Sequence, residues 1–597
     1  MRHGPTLIAH APSMRGHTVP HLSEAFLARP RTVAHAVAAF LVQAGVRRIY
    51  GLTGSHIKPI WEEATHAGLQ VVDVRHEVAA VHMAQAEADL TGRLAVATVT
   101  TGPGLTNAVT GLAAALSARS PVLVLSAVPP RGQLGLGALE ELDQAGLVRP
   151  VTRFARTVGH DRQLLPFLHA AVAAALGEDG PSGPAYLDFP VDVLRGVARW
   201  YDPGAIDGVR TAASPMDPDD GALQAAASAI RRSRRPVVIS GRGAAPHPQA
   251  IVDFLDATGA LYLDTPESRG LVPATHAGYV PAVRSAAMSQ ADTVITIGRR
   301  LDFALGYGSP AVFGSARAFV RIGRSFEELA ENRAPEVQVK GDPCRVLSAL
   351  TELDVAPRDP DTAWRERLCG DDRRRRQDWV VKARATPYGP DGRIHPNALI
   401  EVLNRTLDDP QALLIADGGD ILSFARIGLQ PPARLDTGTF GSLGVGVPFA
   451  VAASLIHPDR RVVAVIGDGA FGFNAMELDT ARRSGARPVF VISNNQAWNI
   501  ERLDHVENYA ANPRFNTELP GCRYDRIASA LGLHAQRVTR IEELEPAIRL
   551  ALTEAPALID VQTSGAVPSP DFSAGLADLP DLHVLRGWDE AEREALR

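Results

Sequence analysis

Cysteine is scarce in this 597-residue chain: Cys344, Cys369 and Cys522 are odd in number and far apart. They can build neither a disulfide framework nor a thiolate metal site, which fits a reducing cytoplasm. Long apolar runs are missing, since no stretch approaches the roughly 18–20 residues that span a bilayer. Residues 1–30 lack the apolar core of a secretion signal. No excess of positive charge exists either: 61 Lys and Arg stand against 67 Asp and Glu, a net charge of −6. Nothing global therefore attracts nucleic acid or an anionic membrane. The G-x-G-x-x-G dinucleotide fingerprint is absent too. Its nearest approach, 241–245 (GRGAA), carries Pro246 in the sixth position, which argues against a nicotinamide dehydrogenase. What remains is a cytoplasmic protein whose partners are small molecules, with no nucleic acid and no membrane.

The length suggests three or four domains, and three blocks stand out. Residues 31–202 contain β-rich runs at 95–100 (AVATVT) and 121–127 (PVLVLSA), separated by Ala-rich helical stretches. Residues 221–355 repeat the alternation around 236–240 (PVVIS) and 293–298 (TVITIG). Residues 385–565 do so again around 412–416, 462–466 and 488–493. Such alternation predicts α/β architecture: three doubly wound parallel-sheet domains. Residues 1–30 read as a poorly ordered arm, 203–220 as a linker and the charged run 371–377 (DDRRRRQ) as part of a second connector. Residues 566–597 form a C-terminal tail.

The first and third blocks share a local plan. Residues 94–127 (LAVATVTTGPGLTNAVTGLAAALSARSPVLVLSA) and 461–494 (RVVAVIGDGAFGFNAMELDTARRSGARPVFVISN) both read strand, Gly-containing turn, helix, strand. Each puts a turn at the carboxyl end of a strand, where open α/β sheets bind ligands. In the second segment the turn is Gly467-Asp468-Gly469. Asn474 is expected to cap the following helix, Glu477 to complete a capping box and Gly485 to end it. The N–H groups of Gly469 and Ala470 would face a phosphate. Asn495 follows Asp468 by 495 − 468 = 27 residues, enough for one helix and a return strand. Two oxygen ligands would then project from neighbouring strand ends, suited to a hard cation such as magnesium.

Residues 466–497, IGDGAFGFNAMELDTARRSGARPVFVISNNQA, resemble the thiamine-diphosphate motif of the acetolactate synthase and pyruvate decarboxylase superfamily. The resemblance covers roughly residues 32–565. It implies Mg²⁺ on Asp468, Asn495 and the Ala497 carbonyl, with Ala497 replacing the usual glycine. It also places thiamine diphosphate against Gly467, Gly469 and Ala470. The three blocks become pyrimidine-binding, middle and diphosphate-binding domains. Residues 71–89 (VVDVRHEVAAVHMAQAEAD) resemble the segment that carries the activating carboxylate, which makes Glu77 the partner of the pyrimidine N1′ and a catalytic residue. In 440–449 (FGSLGVGVPF) the Gly441 carbonyl would accept from the 4′-amino group and Leu443 would be the wedge beneath the bent cofactor. Thr101, in 100–104 (TTGPG), would line the pyrimidine pocket. A homodimer or homotetramer is implied, with sites between chains.

The reaction is less narrowly set. Ile500 and Glu501 match an Ile-Glu pair that pyruvate decarboxylases carry beside the cofactor, so Glu501 is a candidate for proton transfer. Those enzymes also need a His-His pair, which this chain lacks, and simple pyruvate decarboxylation is excluded. Residues 498–509 (WNIERLDHVENY) and the Pro-containing tail are most similar to actinobacterial-type 2-hydroxyacyl-CoA lyases, in which the tail can close as a lid. Such enzymes reversibly cleave a 2-hydroxyacyl-CoA to formyl-CoA and an aldehyde or ketone. Glu140, in 138–144 (ALEELDQ), falls where relatives place an active-site Gln or Glu; a surface helix carboxylate is the competing reading. An acetolactate-synthase-like carboligase on 2-oxo acids stays open as an alternative, as does a non-catalytic protein of this fold. For the middle domain the resemblance allows CoA or ADP, with FAD less favoured. Arg299 or Arg300 of 298–307 (GRRLDFALGY) would meet phosphate there, against the commoner reading of surface arginines.

Overall fold

The computed structural model describes residues 22–201, 209–210, 212–245, 248–508, 516–519, 521–573 and 594. Three fully parallel sheets, each flanked by helices, follow one another along the chain. The first sheet contains β1 (Arg48–Gly51), β2 (Gln70–Asp73), β3 (Ala95–Thr98), β4 (Val122–Val128), β5 (Phe154–Thr157) and β6 (Ala185–Pro190), in the order β2-β1-β3-β4-β6-β5. The middle sheet contains β7 (Pro236–Ser240), β8 (Leu261–Leu263), β9 (Thr293–Ile297), β10 (Ala318–Gly323) and β11 (Val337–Lys340), in the order β11-β10-β9-β7-β8. The third contains β12 (Leu413–Asp417), β13 (Val462–Gly467), β14 (Val489–Asn494), β15 (His534–Val538) and β16 (Ala557–Gln562), in the order β12-β13-β14-β16-β15. The expected runs are all strands. Central ones such as β4 and β14 are buried at every residue, because helices cover both faces and leave no polar side to alternate with.

The outer domains share one core. The helix Glu77–Thr91 of the first packs on the helix Gly446–Ile456 of the third. Their facing residues are small, Ala80, Ala84 and Ala88 on one and Ala450 and Ala453 on the other, all in the same buried cluster. Residues 446–454 are buried without a break, so this helix is apolar all round, as an interior helix should be.

The second connector takes a definite form, and one expectation, for the arm, needs correction. The run 371–377 lies in the connector, but that connector is one helix, Thr362–Ala385. Trp364, Leu368 and Cys369 bury its first turns in the middle domain, and the arginines stand outward or pair locally, as Arg376 does with Asp372 at 2.7 Å. Within the arm, residues 22–30 are ordered: Ser23 caps a short helix, Glu24–Leu27, and Phe26 stacks on His35 with ring centroids 4.1 Å apart. The rest of the arm lies outside the described residues, as does most of the tail and with it the candidate lid. The described start of the tail, Pro570–Ser573, packs on the helix Asp420–Gly428, where Asp571 N–H donates to Ser423 Oγ at 2.8 Å. Among the described residues no helix is long and apolar enough to cross a membrane.

Candidate active site

β13 and β14 are paired, with Gly467 opposite Ser493, so the residues that follow each strand meet at one sheet edge. Asp468 is the first residue of the helix Asp468–Asn474, and its Oδ2 accepts the Gln496 N–H at 2.8 Å across that edge. The 27-residue separation thus closes as expected. Asp468 is 3% exposed, and among the described residues it has no cationic partner. Burial pushes its carboxyl up to about 7, against the lowering effect of neighbouring main-chain N–H groups. A buried carboxylate that no protein cation neutralises is the kind of group that fits a bound metal. Its Oδ1 takes the Gly469 N–H at 3.0 Å, the same group expected to face a phosphate. Gly469 must be glycine, because a Cβ there would lie 2.5 Å from the Trp498 ring. Ala470 is buried behind it.

Asn495 and Ala497, the other two expected ligands, follow β14, and Asn495 Oδ1 accepts the Ala497 N–H at 3.1 Å. The amide of Asn495 is oriented by a residue that the sequence reasoning missed. Asp420 Oδ2 accepts from Asn495 Nδ2 at 3.1 Å and from Asn499 Nδ2 at 3.0 Å, which turns the Asn495 oxygen away from it. Burial pushes the Asp420 carboxyl up to about 6. The available signal was Gly418-Gly419-Asp420 directly after β12. Ile500 packs on Gly419, with its Cδ1 3.1 Å from where a Cβ would stand. Glu501, its neighbour in the first turn of Asn499–Asn508, is exposed in the single chain.

Two expected helix signals are displaced. Gly467, not Asn474, precedes the first helical residue, and Asn474 ends that helix, its side chain donating to the Gly444 carbonyl at 2.8 Å. Glu477 makes no capping box; it opens a second helix, Glu477–Ser484, and reaches into the first domain. Gly485 does terminate that helix, at φ 74°. The 440–449 segment is pinned from β12: Asp417 Oδ2 accepts the N–H groups of Gly444 at 3.0 Å and Gly446 at 2.8 Å. Leu443 is half-buried at the edge of the shared core, and Gly441 is exposed at φ 69°.

Glu77 is buried at the first position of its helix, with His76 as N-cap. Asn107 Nδ2 donates to its Oε2 at 3.0 Å. The 100–104 loop runs alongside: a Cβ on Gly104 would stand 3.7 Å from Glu77 Oε1. In that loop Thr101 is buried and its hydroxyl donates to the Ala127 carbonyl at 2.9 Å. The Gly102 N–H donates to Gln144 Oε1 at 2.6 Å, and Gln144 Nε2 in turn donates to the Tyr186 hydroxyl at 2.8 Å. Gln144 was also missed, although it closes the same ALEELDQ string as Glu140.

Glu140 lies in a turn before the helix Gln144–Val148, so it is not the surface helix carboxylate of the competing reading. Its backbone sits at φ 63°, where residues other than glycine are uncommon. It presses on Gly102: a Cβ there would lie 2.9 Å from both Glu140 Cβ and its carbonyl oxygen. His56 Nδ1 stands 3.5 Å from Glu140 Oε2. The turn is held by Glu141, which accepts N–H groups from Gly135, Gly137 and Ala138; these hold its carboxyl below the usual range. Glu77 and Glu140 therefore flank the same 100–104 loop, Glu77 at Gly104 and Glu140 at Gly102.

The middle domain offers a cleft of about 440 Å³ against the first domain, at the carboxyl ends of β7, β9 and β10. Gly243, Gly298, Arg119, Arg242 and Arg324 line it. This is where the order of the middle sheet reverses, the expected ligand position in such folds. Arg299 and Arg300 do not point free charges at it. Arg299 is buried and pairs with Asp302 at 2.7 Å and Glu267 at 3.4 Å, while Arg300 pairs with Glu331 at 2.5 Å. A second pocket, of about 30 Å³, shares Asp89 and Arg242 with this cleft and reaches Phe440.

Three family models match the chain. The N-terminal TPP binding domain of thiamine pyrophosphate enzymes matches residues 31–147, their central domain 223–350 and their C-terminal TPP binding domain 420–561. A probable acetolactate synthase of Mycobacterium bovis is 32% identical over 555 residues, covering 91% of this chain and 98% of its own. A 2-hydroxyacyl-CoA lyase 2 of Homo sapiens is 33% identical over 549 residues, covering 85% of each. A 2-hydroxyacyl-CoA lyase of Oryza sativa subsp. japonica is 30% identical over 549 residues, covering 87% of this chain and 93% of its own.

Proposed function

The chain belongs to the thiamine pyrophosphate enzymes, and from that premise we propose that it is a magnesium-dependent lyase that reversibly cleaves a 2-hydroxyacyl-CoA to formyl-CoA and an aldehyde or ketone. The observation that carries this reading is Glu140, held in a left-handed turn against Gly102, beside His56 and at the loop that also flanks Glu77. Cleavage of a 2-hydroxyacyl group needs an acceptor for the 2-hydroxyl proton, and a carboxylate at this loop is suited to that task. Thiamine diphosphate, when bound, supplies the nucleophilic carbon and stores the electron pair of the broken bond. Asp468, Asn495 and the Ala497 carbonyl would hold the metal and through it the diphosphate. Glu77 would hold the pyrimidine and move a proton there. Leu443 and Gly441 would shape the seat of the ring, with Ile500 nearby. Glu501 is the second candidate for proton transfer at the reacting carbon, in an assembly of two or four chains whose sites lie between subunits.

The middle cleft takes an adenine nucleotide in this reading, either the nucleotide end of CoA or ADP. Its volume lies within the range of small-molecule sites. FAD is the less favoured occupant of the same cleft. An acetolactate-synthase-like activity on 2-oxo acids is the second reading. It is favoured by the Mycobacterium bovis relative, which this chain matches over 98% of that relative's length. Paired assays separate the two. Formyl-CoA released from 2-hydroxyisobutyryl-CoA or mandelyl-CoA supports the lyase. Acetolactate from pyruvate, with no turnover of either thioester, overturns it.

A further inference from the structure

Glu477 stands 477 − 468 = 9 residues beyond Asp468, at the start of its helix, and is 1% exposed. No described cation forms an ion pair with it. Its carboxylate crosses to the first domain instead. Oε1 accepts the N–H groups of Arg75 and His76, both at 3.0 Å, and Oε2 accepts from Arg75 at 3.2 Å. Within its own helix the Thr480 hydroxyl donates to Oε2 at 2.5 Å. Around this contact Arg483 pairs with Asp479 at 2.7 Å and Asp73 at 3.1 Å, and Arg75 reaches Asp479 at 3.5 Å.

The two N–H groups belong to the residues immediately before Glu77. His76 is the N-cap of the Glu77 helix, and its Nδ1 accepts the Val78 N–H at 3.2 Å. Fixing the Arg75 and His76 peptides therefore fixes where that helix begins and which way Glu77 leaves it. Main-chain N–H groups at a turn are ordinarily satisfied by water or by a neutral oxygen. A buried carboxylate is a costly substitute, justified by charge-assisted hydrogen bonds roughly twice as strong as neutral ones. Asn107 and the 100–104 loop hold Glu77 from its own domain, and Glu477 holds its backbone from the other.

We infer that Glu477 is a positioning residue for Glu77: the helix that follows the metal-binding turn clamps the backbone carrying the activating carboxylate. The inference rests on the assignment of Glu77 in the proposed function. It makes the order of residues 71–78 depend on the diphosphate-binding domain of the same chain. Any loosening of the segment 468–477 should reach Glu77 without a change in the residues that touch Glu77 directly.

The test uses the full-length holoenzyme with Mg²⁺ and thiamine diphosphate, comparing wild type, Glu477→Ala, Glu477→Gln and Glu77→Gln. For Glu477→Ala, amide hydrogen exchange across residues 71–78 should rise by about tenfold or more. Its kcat should fall by about 10-fold to 100-fold, as expected for a small displacement of a catalytic group, while KM and cofactor affinity stay within about threefold. Glu477→Gln keeps one acceptor and should recover part of both effects. Unchanged exchange and kcat in Glu477→Ala overturns the inference, as does a parallel loss of kcat, KM and cofactor affinity, the mark of a general structural role. If Glu477→Ala does not fold, Glu477→Gln decides: wild-type exchange at Arg75 and His76 with wild-type kcat overturns it. An inactive Glu77→Gln beside an unaffected Glu477→Ala refutes the positioning role alone, whereas a fully active Glu77→Gln refutes the underlying assignment with it.

Discussion

The first and third domains are variants of one plan. Strands β1-β3-β4-β6-β5 of the first sheet match β12-β13-β14-β16-β15 of the third, in order and direction. The first adds β2 at its edge; in the third, the same side of β12 is met only by a single parallel bridge between Ile415 and Leu435. The helix Glu77–Thr91 then corresponds to Gly446–Ile456, and these two pack on each other. The equivalent turns have diverged. After β13 stand Asp468 and, across the edge, Asn495; after β3 stand Thr101 and Gly102, and after β4 two prolines, Pro129 and Pro130. Before the paired helices one domain places Glu77 and the other the Gly441–Gly444 loop with Leu443. On the proposed function, one scaffold would carry the anion-and-metal turn in one copy and a ring-binding, proton-exchanging surface in the other, each built at strand ends.

If that division is right, each half should break separately. Asp468→Ala, the largest expected effect, should abolish thiamine diphosphate binding at ordinary magnesium concentrations, because it removes the charged member of the proposed ligand set. Calorimetric titration checks it, and unchanged affinity would reduce the turn to a structural one. Glu77→Gln leaves affinity intact and lowers turnover by about 10²–10⁴-fold, so the two variants dissociate binding from chemistry. Asp420→Asn disturbs the orientation of Asn495 and should weaken metal affinity by about 10-fold to 100-fold, read by titrating Mg²⁺ at fixed cofactor.

The smallest effect concerns Asp417, which pins the Gly444 and Gly446 peptides. Burial raises its carboxyl to about 7. A raised folded-state value means that its contribution to stability is complete below the unfolded range near pH 4 and is lost as pH climbs through 7. Glu477, likewise pushed up to about 7 by burial, acts in the same direction. The melting temperature of the cofactor-free chain should therefore fall from about pH 5 to about pH 8. Asp417→Asn should flatten that fall; an equally steep decline in the variant would remove Asp417 from the account.

The Asp468 turn was legible in the sequence because its parts are local: an apolar strand, Gly-Asp-Gly, a helix, a second apolar strand and Asn495. Glu77 was legible as a carboxylate at a helix start. Its setting was not, since Asn107 reaches its carboxylate, and Glu477 the backbone just before it, from other elements. Glu477 shows why most clearly. The spacing from Asn474 to Glu477 suits a capping box, but two N–H groups from another domain compete for the same carboxylate and win. The run 371–377 was legible as connector but not as helix, because the apolar residues that seat that helix lie at 364–369, ahead of the charges. Arg299, which the sequence would put at the surface, is buried because Glu267 and Asp302 neutralise it.

The central claim is that Glu77 activates a cofactor anchored by the Asp468 turn. Its most direct test is the rate at which the C2 proton of bound thiamine diphosphate exchanges with solvent, followed by NMR in wild type and in Glu77→Gln at saturating Mg²⁺. The account predicts undiminished binding and exchange slowed by about 10²-fold or more in the variant. Exchange at the wild-type rate with the cofactor fully bound would contradict it.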